Sequence, residues 1–148
     1  MMNKLKFRTL DSTLSPVRAH PTDAGLDLRA AEDITLAANL RTLIDTGIQV
    51  KIPKGYVGLL VPRSSLSKKG IIATNSVGII DSDYRGNIMA SLMYTVGYER
   101  TCTITKGERI MQLIISPIEL PIPEQVYETD EEWNDTERGT GGFGSTGV

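Results

Sequence analysis

Short runs of β-branched and aliphatic residues, punctuated by Gly, Pro, Asn and Asp about every ten residues, fill most of this chain and constrain its fold more than any other feature. Helical periodicity is nearly absent. Strands are expected over 5–9, 42–52 (one strand, or two joined at Gly47), 56–61, 71–74, 77–80, 87–94, 101–104 and 110–115, with another beginning near Asp23 and carrying Asp27. One short helix is expected over 64–69, with Ser64 capping its N-terminus. The pattern predicts an all-β subunit, a jelly-roll-like sandwich or distorted barrel. At 148 residues the chain suffices for one domain with a sizeable core.

The last part behaves differently. Pro117, Pro121 and Pro123 close the strand region, an acidic stretch follows, and the chain ends RGTGGFGSTGV. We therefore divide it into a domain over 1–124 and an acidic linker with a Gly-rich arm over 125–148. Such an arm cannot build a core by itself. The bland expectation is a disordered end; the specific one is a segment that orders over a ligand.

Three composition features narrow the function. No apolar run is long enough to span a bilayer, so no membrane association is expected. The first ten residues mix Lys and Arg with apolar residues and lack a signal-peptide pattern, and Cys102 is the only cysteine, so a reducing cytoplasm is expected. A net charge of −2 argues against a dedicated nucleic-acid binder but leaves a nucleotide substrate open.

Several stretches carry chemistry. In the tail, glycine backbone N–H groups form an anion nest, Ser145 and Thr146 add hydroxyls, Arg138 adds a planar fork, and Phe143 offers a stacking platform for a base. Arg63, Ser64 and Ser65 sit at a strand-to-helix corner, where free N–H groups favour an anion; a plain capped turn is the simpler reading. The stretch from Asn75 to Gly86 carries Asp81, Asp83 and Tyr84. It reads either as a hairpin whose acids bond to turn N–H groups, or as a carboxylate placed to deprotonate a water beside a ring that packs on a sugar. Asp27 reads as a turn acid or as a contact to hydrated Mg²⁺. His20 has no partner pattern.

Taken together, DAGLDLRA from Asp23, PRSSL from Pro62, NSVGIIDSDYRG from Asn75, KGERIMQLI from Lys106 and RGTGGFGSTG from Arg138 resemble the five ordered motifs of the trimeric dUTPases and span nearly the whole chain. The resemblance implies a homotrimer of jelly-roll subunits that hydrolyses dUTP to dUMP and pyrophosphate with Mg²⁺, at sites shared among subunits. It implies that Asp81 activates the water attacking the α-phosphorus and that Tyr84 packs on deoxyribose. Asn75, with the backbone around Gly78, would read uracil. Arg63, Ser64, Ser65 and Gln112 would hold phosphates, and Asp27 would touch the Mg²⁺ hydration shell. Arg138, Phe143, Gly144, Ser145 and Thr146 would form the closing arm. Ser65 stands where the family commonly has Gly, and Asp23 where it often has Ser. The alternatives are a dCTP deaminase of the same fold, or a regulatory protein that binds a partner through a dUTPase scaffold.

Overall fold

The computed structural model describes residues 4–95, 99–127, 133, 136–137 and 139–141. Eleven strands run through the described chain: β1 (Lys6–Arg8), β2 (Leu26–Arg29), β3 (Ile34–Ala37), β4 (Arg41–Asp45), β5 (Gln49–Lys51), β6 (Tyr56–Pro62), β7 (Ile71–Ala73), β8 (Gly78–Ile80), β9 (Met89–Tyr94), β10 (Thr101–Ile104) and β11 (Arg109–Pro117). The one α-helix described, α1 (Ser64–Lys68), is a single turn, and a 3-10 turn occupies Ser12–Leu14. No described helix is long and apolar enough to cross a membrane.

Most strands fall where the turn signals place them. The segment over 42–52 is two strands, β4 and β5, because Gly47 between them adopts a φ of +66°. A β-carbon there would also press to 2.8 Å from Leu14 Cδ1, so the corner closes only on glycine. Strand β3 was not anticipated; its alternation is masked by the polar residues around it.

The pairing is less obvious than the strands. The larger sheets have the orders β2-β11-β6-β8 and β4-β9-β7, and β1-β5 and β10-β3 form two ribbons, all antiparallel. None of these pairings joins strands consecutive in the chain, as expected of Greek-key and jelly-roll connections. The two larger sheets share one core. Leu28, Leu60, Ile110, Met111 and Leu113 come from the first, and Ile44, Ile71, Ala90, Leu92 and Tyr94 from the second. Burial of the Leu, Ile and Met side chains among these, worth roughly 1.5–3 kcal/mol each, does most to hold the layers together.

This topology overturns one expectation. The stretch from Asn75 to Gly86 does not form a hairpin: β8 pairs with β6, whereas β9 pairs with β4 and β7. The turn after Ile80 crosses from one sheet to the other.

Candidate functional site

The crossover turn leaves β8 and presents its side chains to solvent. Asp81, Asp83 and Tyr84 are exposed. The turn is closed by the backbone, with Tyr84 N donating to Asp81 O at 3.2 Å. Neither carboxylate accepts a turn N–H among the described residues, so the self-capping reading of these acids is not what forms here. Tyr84 Oη donates to Asn87 O at 2.9 Å. The ring thereby lies over Gly86, where any β-carbon would collide with its hydroxyl. Asn87 Nδ2 in turn donates to Asp45 Oδ2 at 2.8 Å, tying the turn to the end of β4. Before β8, Asn75 is exposed and Ser76 takes a φ of +58°. Gly78 is buried against Leu60, and a β-carbon on it would lie 3.4 Å from Asn75 Nδ2.

A second group gathers on the outer face of the four-stranded sheet. Asp27 is 5% exposed, inside β2 rather than in a turn. Arg63 Nε lies 3.0 Å from its Oδ1, and Arg109 Nη1 donates to its Oδ2 at 3.0 Å. Two guanidinium groups on one carboxylate leave net positive charge on this face. Gln112 stands directly opposite Asp27 in the β11–β2 ladder. Its side chain packs on Gly25, where a β-carbon would come within 2.9 Å of Gln112 Cβ.

The helix end corrects a second expectation. Arg63, not Ser64, holds the N-cap position and gives no side-chain cap; Ser64 is the first helical residue. Ser67 Oγ donates to Ser64 O at 2.6 Å, and the hydroxyls of Ser64 and Ser65 are exposed. Asp23 is absorbed by its own turn, its Oδ2 accepting from His20 N at 2.9 Å and its carbonyl accepting from Arg18. The two departures from the resembled pattern thus differ: Asp23 is a turn acid, and Ser65 is an open hydroxyl beside Arg63.

These two groups do not meet within one chain. Gly58 pairs with Ile80 and Leu60 with Gly78. Arg63 therefore lies beyond one end of the β6–β8 pair and Asp81 beyond the other. At about 3.3 Å per residue, the six residues of strand between those positions span about 20 Å. Neither of the two large concavities, of about 720 and 870 Å³ beside the β1–β5 ribbon, is lined by any predicted site residue. Arg138, Phe143, Gly144, Ser145 and Thr146 lie outside the described residues.

Among the described residues, no group of three or more His, Cys, Asp or Glu side chains converges to cage an ion. Mg²⁺ does not need such a cage, since it keeps several waters and takes one or two carboxylates plus substrate phosphates. Each Asp27 oxygen meets one guanidinium, and a carboxylate oxygen has two lone pairs. Asp27 therefore fits an outer contact to a metal-bound water.

Sequence reasoning missed Arg109. In a regular strand Arg109 and Gln112 point to opposite faces. A bulge between Arg109 and Met111 reverses that parity, which no local sequence signal announces.

Comparisons with known proteins agree with the fold and the motifs. A family model described as dUTPase matches residues 12–147. The chain is 46% identical, over 97% of its length and 93% of the relative's, to the deoxyuridine 5'-triphosphate nucleotidohydrolase of Corynebacterium jeikeium. Among solved structures, it is similar to the dUTPase of Staphylococcus bacteriophage 80alpha bound to dUpNHpp (TM-score 0.85, 34% identity, 99% of this chain and 100% of that one). It is also similar to a mutant dUTPase from phage phi11 of S. aureus, solved to reveal the coordination of a structural Mg(II) ion (TM-score 0.78, 32% identity, 86% of this chain and 99% of that one).

Proposed function

Because the chain belongs to the dUTPase family and hydrolyses dUTP to dUMP and pyrophosphate, we propose that the reaction is divided between the two side-chain groups just described, with each active site completed by a neighbouring subunit of a homotrimer. The observation that carries this reading is the separation of about 20 Å between Asp81 and Arg63 along one sheet, at 3.3 Å per residue. One subunit presents the nucleoside half and another the phosphate half.

In the nucleoside half, Asn75 and the backbone at Gly78 read the polar edge of uracil, and Tyr84 packs on the deoxyribose where a 2′-hydroxyl would collide. Asp81, whose carboxylate accepts no N–H of its own turn, takes the proton from the attacking water as that oxygen bonds to the α-phosphorus. The α–β bridging bond breaks, and pyrophosphate carries away the electron pair. In the phosphate half, Arg63, the hydroxyls of Ser64 and Ser65, and Gln112 hold the triphosphate. Phosphoryl transfer depends mainly on such fixed donors and charge. Asp27, through a metal-bound water, would help hold Mg²⁺, which when bound neutralises triphosphate charge. The arm carrying Arg138, Phe143, Gly144, Ser145 and Thr146 closes over the assembled site and excludes water. The enzyme acts in the cytoplasm, keeping uracil out of DNA and supplying dUMP.

The test is pyrophosphate release from dUTP with Mg²⁺, run beside dCTP. Release from dUTP and none from dCTP is expected. Ammonia release from dCTP would instead indicate a deaminase on the same fold.

A further inference from the structure

The residues facing Asp27 are arranged in a way that the phosphate-binding reading does not require. Asp27, Arg29, Arg109 and Gln112 all stand on one face of the sheet: Arg29 is two residues beyond Asp27 on β2, Arg109 pairs with Arg29, and Gln112 pairs with Asp27. They share that face only because of the bulge in β11. Ile110 and Met111, consecutive in sequence, are both buried in the core, so the strand spends one residue without changing its outer face. Without the bulge, Arg109 would point into the apolar core if Gln112 pointed out.

The bulged start of β11 is held in place. Arg29 Nη1 donates to Gly107 O at 3.0 Å. Gly107 N donates to Ala30 O at 2.8 Å, and Ala30 N donates to Glu108 O at 2.9 Å. The turn preceding Arg109 is thus clamped onto the end of β2. Arg109 delivers one nitrogen to Asp27 Oδ2, opposite the oxygen that meets Arg63. Arg63 approaches through Nε, the inner nitrogen of its fork. That attachment uses the side edge of the guanidinium and leaves its end edge, between the two terminal amino groups, for another acceptor.

We propose that Arg109 is a positioning residue for dUTP hydrolysis: it fixes Asp27 from one side, so that Asp27 holds Arg63 by Nε and aims the remaining fork at the phosphates of the substrate. This rests on the reading of Arg63 as a phosphate contact. The chemistry supports the division of labour. A buried carboxylate held by a single flexible cation turns toward whichever partner approaches, including a metal ion or a competing donor. Clamped by two cations from different elements, the cap of α1 and the start of β11, it keeps one orientation, and the arginine whose fork is preorganised loses less freedom on binding. The surplus positive charge makes this face a receptor for an anion rather than a closed ion pair.

A double-mutant cycle tests the idea, using binding of the non-hydrolysable analogue dUpNHpp with Mg²⁺ and, in parallel, kcat and KM for dUTP and melting temperature. Arg63→Met, Arg109→Met and the double variant are compared with the unmodified protein. Arg109→Met is expected to weaken analogue binding on the order of tenfold, the scale of coupling between contacting residues. The double variant is expected to bind no worse than Arg63→Met alone, because Arg109 acts through Arg63. A merely structural arginine would lower the melting temperature and leave the affinity of the folded protein unchanged. Losses that multiply in the double variant overturn the relay, as does a silent Arg109→Met beside a costly Arg63→Met. If Arg63→Met itself binds the analogue normally, the phosphate role of Arg63 fails first and the relay fails with it. Should Arg109→Met not fold, Arg109→Lys, which keeps the charge but not the fixed fork, runs the same cycle with the same criteria.

Discussion

Asp81 and Tyr84 make the most exposed claims of the proposed mechanism, since each role rests on one side chain. Asp81→Asn keeps the size and a hydrogen-bonding group but cannot take a proton. Steady-state turnover should fall on the order of 10²-fold or more, the scale of general-base help, while dUpNHpp affinity is kept. Near-normal turnover would remove Asp81 from the role. Tyr84 is held over Gly86 by its bond to Asn87 O, so its ring has little freedom to yield to a larger sugar. Tyr84→Ala should therefore raise kcat/KM for UTP relative to dUTP by roughly tenfold or more, the scale of discrimination a packed wall supplies. An unchanged ratio would place the sugar discrimination elsewhere. At this scale the sequence made positions readable where they are local to a motif: Asp81 and Tyr84 stand in the turn after β8, and Gln112 stands on β11. It did not make readable what depends on parity across a bulge, as for the face that Arg109 occupies, or on what lies across a sheet, as for the double ion pair on the buried Asp27.

The elements are legible for a related reason and illegible for another. Strand positions follow from β-branched runs and turn residues, which are local. Pairings follow from long connections that no short-range signal encodes, so the segment around Asp81 looked like a hairpin and is a crossover. One connection makes its own prediction. Asp11 caps the 3-10 turn, accepting from Thr13 N at 3.0 Å, and meets Lys106 Nζ at 2.8 Å, which links the N-terminal segment to the turn before β11. The Lys106 ammonium, then Thr13, holds the Asp11 carboxyl down at about 2, and Asp11 holds the Lys106 ammonium up. A depressed acid stabilises the fold above its unfolded pKa, and a raised base does so below its own. The pair should thus stabilise across the neutral range and lose that contribution as the pH falls from about 4 to about 2. Melting curves of the protein and of Asp11→Asn should differ near neutrality and converge at about pH 2, with the difference shrinking in high salt. A difference that persists unchanged in acid would show that the charge of the Asp11 carboxylate is not its source. The arm makes the other prediction at this scale: cutting the chain before Arg138 should leave folding and assembly unchanged, because Gly-rich residues bury little, and should nearly abolish dUTP turnover. A truncated protein that assembles and turns over dUTP at the intact rate would make the tail an ordinary chain end.

At the scale of the whole molecule, the length of β6 decides where a substrate can lie. The strand runs from Tyr56 to Pro62, and the register places Asp81 level with its first residues and Arg63 past its end. A triphosphate cannot lie on one subunit with its base at Tyr84 and its phosphates at Arg63 if the sheet between them must be crossed. Large apolar side chains, among them Leu120, Ile122 and Ile79, stand exposed on the single subunit, and the proposed homotrimer would have such side chains to cover. If the site is built across neighbours, two inactive variants can repair each other. Asp81→Asn lacks a base but keeps an intact Arg63; Arg63→Ala lacks a phosphate contact but keeps an intact Asp81. Each alone should be nearly inactive. Unfolded together in equal amounts and refolded, they should form mixed trimers in which roughly one site in four takes its Asp81 from one parent and its Arg63 from the other, by random assortment around a closed ring. Activity should then recover to about that fraction of the unmodified enzyme. Mixing the same two variants without refolding should recover none until subunits exchange. If refolded mixtures stay as inactive as their parents while sedimentation shows mixed trimers, Asp81 and Arg63 serve the same subunit's site, and the sheet must be bridged in some other way.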